Sequence, residues 1–307
     1  MPMTDIPYIK IAIVAIFIAS TMYVHFRGKV RLRFFRQLMD HSTFMAPINC
    51  LMYLFSKLPA KPYLPVSEFK ELQLLADHWQ DIRAEAFKLA DAGEIKKSDK
   101  YNDAGFNSFF KTGWTRFHLK WYDDAHASAK ELCPVTTGLL QRIPTVKAAM
   151  FAALPPGGRL VTHRDPFAGS VRYHLGLVTP NADSCYISVD GERYFWRDGE
   201  GVIFDETYLH YAENQSDMMR IILFCDVERP LNNPLARWFN RFISNTLIRS
   251  ASAPNSDTDR TGGINRLFAY VQQVRLFGKR IKAMSRFAYY AIQWVVFGGL
   301  IVWWLWP

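Results

Sequence analysis

His163, Arg164 and Asp165 form an H-x-D triplet in the stretch LVTHRDP. In an extended segment, positions i and i+2 point to the same side. One imidazole and one carboxylate can therefore face a single metal ion. His210 lies 47 residues further on, in FDETYLHYAEN, and offers a second imidazole. Two histidines and one carboxylate leave three coordination positions open, the arrangement of non-haem Fe(II) oxygenases. Arg220 opens an apolar strand ten residues after His210. A buried arginine needs an anionic partner, and a cosubstrate carboxylate would supply a bidentate one. Arg172 and His174 share one face of VRYHLGLV and add a second cation and a polar ring. Each residue alone also has a bland explanation. The histidines could be satisfied loop residues, and Arg220 and Arg172 could pair with Asp205 or Asp226. The set as a whole favours a metal site.

These residues must be held by strands. From about residue 147 the pattern is β: the turn PPGG (155–158), then VRYHLGLV (171–178), CYISV-DG-ERYFW (185–196), GVIFD (201–205) and RIILFCDV (220–227). Asp190-Gly191 suits a type I′ hairpin turn. Several short strands separated by turn residues predict an antiparallel sandwich or barrel. Upstream, residues 67–92 read as an amphipathic helix with Ser67 as cap and Gly93 as stop. A second helix is expected from about Ala129 to Gln141. Residues 101–122 are aromatic-rich, and Pro47, Pro59, Pro62 and Pro65 end any long helix before residue 67.

The chain has 307 residues, half of them apolar and 21% charged, a balance that excludes disorder. Cys50, Cys133, Cys185 and Cys225 are scattered, which excludes a disulfide scaffold and gives no support to structural zinc. The net charge of +9 is concentrated at the ends: +4 over residues 1–40 and +9 over 229–307, against −4 between them. Those basic ends are also the most hydrophobic regions, so the charge points to a membrane and not to nucleic acid. Residues 6–26 are long enough to span a bilayer core. Their basic cluster (Arg27, Lys29, Arg31, Arg33, Arg36) follows the apolar run, unlike that of a cleaved signal peptide. Residues 287–307 carry no charge and place Tyr289, Tyr290, Trp303, Trp304 and Trp306 towards their two ends, where interfacial aromatics belong. Lys279, Arg280, Lys282 and Arg286 precede them. Both basic clusters face the middle of the chain, which predicts two spans, a cytoplasmic residue 27–286 region and both termini outside. PLARWFNRFISNTLIR (234–249) and residues 264–286 repeat apolar and basic positions at helical spacing, which suits either a membrane surface or packing on the soluble domain.

The stretches LPPGGRLVTHRDP, SVRYHLGLVTPN, FWRDGEGVIFDETYLH and RIILFCDVERP resemble the aspartyl/asparaginyl β-hydroxylase family of Fe(II)/2-oxoglutarate-dependent dioxygenases. HFRGKVRLRFFRQLMDHSTFMAPINCLMYLFS, NDAGFNSFFKTGW and HRDPFAGSVRYHLGL extend the likeness to a bacterial branch, the lipid A 2-hydroxylases of the Gram-negative inner membrane, over most of residues 25–230. The resemblance implies a mainly β catalytic core, a double-stranded β-helix (cupin-like jelly roll) with flanking helices beside the two transmembrane helices. It divides the chain into an N-terminal span (6–26), a basic juxtamembrane segment (27–66), a dioxygenase domain (67–230, β core about 147–228), basic amphipathic helices (231–286) and a C-terminal span (287–307). It implies Fe(II) on His163, Asp165 and His210, with 2-oxoglutarate and O2 as cosubstrates. Arg220 would hold the distal carboxylate, assisted by Arg172, His174 and Trp114. Asp165 stands where animal members lack a carboxylate, and Ala152 stands where the family has a serine contact to the cosubstrate. The implied reaction is hydroxylation at C2 of a secondary acyl chain of lipid A at the cytoplasmic face of the bacterial inner membrane. The partners are then the lipid and the membrane, with no nucleic acid and no protein partner inferred. Other expectations remain open: an ornithine lipid or a protein Asp/Asn side chain as substrate, a non-catalytic metal- or ligand-sensing module, or an acyltransferase using His41.

Overall fold

A computed structural model describes residues 8–38, 40–98, 101–122 and 125–305. Its strands are β1 Tyr63–Leu64, β2 Thr115–Trp121, β3 Val146–Leu154, β4 Ser170–Val178, β5 Cys185–Val189, β6 Glu192–Phe195, β7 Gly201–Phe204, β8 His210–Asn214 and β9 Arg220–Glu228. A six-stranded sheet runs in the order β1-β7-β4-β9-β3-β2, and a three-stranded sheet in the order β6-β5-β8. Every pairing is antiparallel.

The side-chain period of two sorts each central strand into two faces. Tyr173 and Leu175 of β4, Leu223 and Cys225 of β9, and Phe151 of β3 enter one core cluster, which the helices Trp79–Asp91 and Pro134–Gln141 cover. Ala152, Ile222 and Phe224 enter a second cluster, together with Ile187 and Ala212 of the small sheet. Both faces of the large sheet are therefore buried. Full burial of a Leu, Ile or Phe side chain contributes about 1.5–3 kcal/mol, so neither face can be exposed cheaply. The second cluster fills the space between the two sheets, and the polar members of the same face, Arg172, His174 and Arg220, are aimed into it. This two-sheet antiparallel core is of the sandwich type that the strand pattern predicts and fits the double-stranded β-helix that the resemblance implies. The β5–β6 turn has positive φ at both Asp190 and Gly191, as the type I′ turn requires.

Several elements differ from expectation. The helix expected over 67–92 is broken into two 3₁₀ turns and the α-helices Gln73–Asp77 and Trp79–Asp91. Ser67 makes no cap; the breaks at Phe69 and His78 turn Phe69, Leu72, Leu75 and Ile82 all towards the core. Gly93 does end the helix, at φ +69°. The second helix is split at Cys133-Pro134, because a proline disfavours the helical conformation of the residue before it. β2 lies upstream of the expected β core, and β1 is an edge strand formed before residue 67.

Tyr8–Phe26 is long and apolar enough to cross a membrane, the one such helix among the described residues. A C-terminal helix covers Arg286–Leu305; Trp306 and Pro307, like Ile6 and Pro7 of the first expected span, lie outside the described residues. The residue after the first helix is already fixed to the β domain. Arg27 donates to Asp205 at 2.6 Å and to Thr207 at 2.9 Å. Its guanidinium stands 4.0 Å from the ring centres of both Tyr53 and Tyr208. Arg229 binds the same Asp205 at 2.9 Å. The helix Pro234–Ile243, capped by Asn233, buries Ala236 and Ile243 but leaves Leu235, Trp238 and Phe242 exposed. The helix Gly263–Met284 likewise exposes Leu267, Tyr270, Val274 and Phe277.

Candidate metal centre

His163, Asp165 and His210 converge with their ligand atoms all within 4.8 Å of one another. His210 opens β8. His163 lies in an extended loop that pairs with it, the His163 amide donating to the His210 carbonyl at 3.0 Å and the reverse bond measuring 2.8 Å. The imidazole centres are 4.3 Å apart. Each histidine has its Nδ1 against a backbone carbonyl, Val161 at 2.7 Å and Tyr208 at 2.9 Å. A neutral ring that donates from Nδ1 presents Nε2 as a lone pair, the state a metal requires. The protonation fits. Burial, aided by His163, holds His210 down to about 3. Burial also lowers His163, against the pull of Asp165. Asp165 is held down to about 2 in spite of burial by Arg172, His210 and His163.

Arg172 on β4 reaches the site from behind. It donates to Asp165 at 2.6 Å and to Asp226 at 2.7 Å, and also pairs with Glu206. This is the Asp226 ion pair that the sequence left open, and it commits the guanidinium to carboxylates, one of them the prospective ligand Asp165. Three carboxylates crowded around one buried cation cannot all be ionised. Burial, Asp226 and Asp165 push Glu206 well up, and Ser170 donates to it at 2.7 Å.

Arg220 has the opposite environment. It is 2% exposed, Trp196 lies 4.4 Å beneath its guanidinium, and no carboxylate is within ion-pair distance among the described residues. Its Nε is buried without a hydrogen-bond partner, and burial draws it down to about 10. The expected alternative, Asp205, is taken by Arg27 and Arg229. His174 is also buried with neither ring nitrogen bonded, and burial, Arg172 and Arg220 keep it neutral.

His163, Asp165, His210, Arg220, Arg172, His174 and Trp114 all line one cavity, and Ala152 is in its wall. Trp114 stacks on Phe106 at 5.1 Å, and Phe109 packs on His163 at 4.6 Å. Sequence reasoning did not single out Trp196, Phe109 or the role of Glu206. Trp196 and Phe109 resemble any core aromatic in the sequence, and Glu206 reads only as a turn residue. His41 is not part of the cavity; its ring bonds the Arg164 carbonyl oxygen at 2.7 Å.

Two neutral histidines and one carboxylate, beside a buried cation with no anion among the described residues, make up the donor set of the non-haem iron type. Residues 76–230 match the family model described as aspartyl/asparaginyl beta-hydroxylase, and the chain belongs to that family. It is 38% identical over 200 residues to an ornithine lipid ester-linked acyl 2-hydroxylase of Rhizobium tropici, an alignment covering 63% of this chain and 69% of that one. It is 26% identical over 194 residues to the human aspartyl/asparaginyl beta-hydroxylase, which covers 61% of this chain but 25% of the human protein. Among solved structures, a Pseudomonas putida prolyl-4-hydroxylase aligns over 50% of this chain and 88% of its own at 19% identity, with a TM-score of 0.34.

Proposed function

We propose that the protein is a membrane-anchored Fe(II)/2-oxoglutarate-dependent oxygenase that hydroxylates C2 of an acyl chain on a membrane lipid. The observation that carries this reading is the cavity itself. It joins two neutral histidines and an ionised Asp165 to a buried arginine that lacks an anion. The donor set fits iron, and the unpaired Arg220 fits the distal carboxylate of 2-oxoglutarate. Bound iron, with 2-oxoglutarate and O2, would supply the hydroxylating chemistry, the cosubstrate leaving as succinate and CO2.

The chain's own residues then have separate tasks. His163 and His210 hold the metal through Nε2, each fixed by its Nδ1 bond. Asp165 supplies the charge, and Arg172 fixes its second oxygen. Arg220 anchors the cosubstrate over Trp196, where a low-polarity wall strengthens a charge-assisted bond. His174, neutral, offers a ring nitrogen to the same ligand. Phe106, Phe109 and Trp114 keep water from the metal face.

Lipid A is the substrate that the bacterial resemblance favours. An ornithine lipid is the second reading, supported by the Rhizobium tropici relative. Mass spectrometry of total lipids from cells expressing the wild type or His163→Ala separates them. A gain of one oxygen on a lipid A acyl chain, absent in the variant, supports the first. The same gain on an ornithine lipid supports the second. No His163-dependent oxygen on any lipid, with folded protein, sinks the lipid assignment.

A further inference from the structure

The segment that carries His163 and Asp165 is hydrogen-bonded along both edges. One edge meets the strand of the other ligand: His163 exchanges two bonds with His210, and the Asp165 amide donates to the Glu206 carbonyl at 2.9 Å. The alternate residues face the other way, as the pleat requires. Arg36 donates to the Thr162 carbonyl at 3.3 Å. His41 bonds the Arg164 carbonyl at 2.7 Å. Asn49 donates to the Pro166 carbonyl at 2.9 Å and accepts from the Ala168 amide at 2.8 Å. All three partners belong to the segment that follows the apolar helix Tyr8–Phe26. Arg164, between the two ligands, is 3% exposed and takes no part in the cavity wall. Its guanidinium donates at 2.9 Å to the Val24 carbonyl. That carbonyl lies in the last turn of the apolar helix, where no intrahelical amide can satisfy it.

We propose that Arg164 and Asn49 are positioning residues that tie the geometry of the metal site to the membrane-proximal segment, so that the anchor and the ligand set form one unit. The H-x-D pair presents both ligands to one ion only while the segment stays extended, and one edge of that extension is supplied by residues 24–49. The inference rests on the metal site proposed above. Loss of an outer partner of a metal ligand typically costs about 10- to 100-fold in metal affinity, and Arg164 and Asn49 act one step further out, through the backbone.

The test is titration of the full chain, metal-free in detergent micelles, with Co(II), read by affinity and visible absorption. The wild type is expected to bind one ion, and His163→Ala none. Arg164→Ala and Asn49→Ala are expected to bind about 10- to 100-fold more weakly, with a changed Co(II) spectrum. Arg164→Lys, which keeps a donor for the Val24 carbonyl, is expected to recover part of the loss. Leu89→Ala, in the core on the far side of the large sheet, is the control that loses stability without touching the segment. If Arg164→Ala and Asn49→Ala bind no more weakly than Leu89→Ala, the inference is overturned. If Arg164→Ala fails to fold, Asn49→Ala decides alone. Absence of His163-dependent binding in the wild type would overturn the metal site itself, a separate outcome.

Discussion

Arg220 draws its interest from contrast with Arg172. Both are buried on the same face of the large sheet, yet one is surrounded by carboxylates and the other by aromatic rings. The two should therefore fail differently. Removing a charge-assisted bond costs about 1.5–3 kcal/mol. Arg220→Gln is expected to raise the KM for 2-oxoglutarate by about 10- to 100-fold, with little loss of thermal stability, since no buried anion is orphaned. Arg172→Gln leaves the buried Asp226 and the half-buried Asp165 without their cation, a change that costs about 3–5 kcal/mol. Its main readout is chemical denaturation. If the KM effects of the two variants are equal, the division of labour is wrong. Ala152→Ser returns a hydroxyl to the cavity wall and is expected to lower the same KM by about 2- to 10-fold, the value of one ordinary hydrogen bond. A titrating residue outside the cavity lining gives a further test. His118 is 1% exposed and 3.7 Å from Asp103, too far for a hydrogen bond. Burial and Arg116 hold it down to about 3. In the unfolded chain it binds a proton near 6.5, so the unfolded state takes up more protons as pH falls. Its contribution to stability is thus present above about pH 6.5 and is lost on the way down to about 3, by at most ~1.4 kcal/mol per pH unit. Urea unfolding at pH 7 and pH 5 should show a smaller drop for His118→Phe than for the wild type; equal drops would refute it.

At the scale of elements, the hairpin tip illustrates a turn with two duties. Asp190 adopts positive φ in the turn, and its carboxylate also accepts from the Lys29 and Val30 amides at 3.0 and 2.8 Å. Asp190→Ala is expected to cost about 1–3 kcal/mol, because it removes two hydrogen bonds, and to expose the Arg27–Arg31 segment to limited proteolysis. An unchanged cleavage pattern would count against that bond. The turn itself was legible from Asp190-Gly191, because only residues that tolerate positive φ serve there. So were β4, whose alternation puts Arg172 and His174 on one face, and β7 and β9, which read as short apolar runs bounded by turn residues. β2 was not recognised, although Arg116, Phe117, His118 and Leu119 alternate; its polar face is satisfied by distant partners such as Asp103 and Asn255, which a local pattern cannot reveal. The ligands were legible because H-x-D is a local spacing. The bracing of their loop was not, because Asn49 and Arg36 meet it across more than a hundred residues of sequence. Helix continuity over 67–92 misled for a related reason: four buried apolar residues fit one amphipathic stripe equally well whether or not the backbone bends between them.

For the whole molecule, the exposed apolar side chains form a pattern that water would not favour. Trp238 and Phe242 stack at 5.8 Å on an open helix face, while Asn240 and Ile243 face inward. On the membrane-surface reading of this helix, Trp238 is expected to contribute fluorescence that brominated lipids quench, so Trp238→Phe should quench less than the wild type in lipid nanodiscs. Equal quenching would place that face in water. A last consequence follows from Arg27, locked between Tyr53 and Tyr208 one residue beyond the apolar helix. On the membrane-anchored reading proposed above, this leaves no slack between bilayer and domain, so a salt bridge and not a flexible tether would set the height of the cavity above the lipid. Such an arrangement would act as a depth gauge on that reading, favouring carbons just beneath the lipid headgroups over those near the bilayer centre.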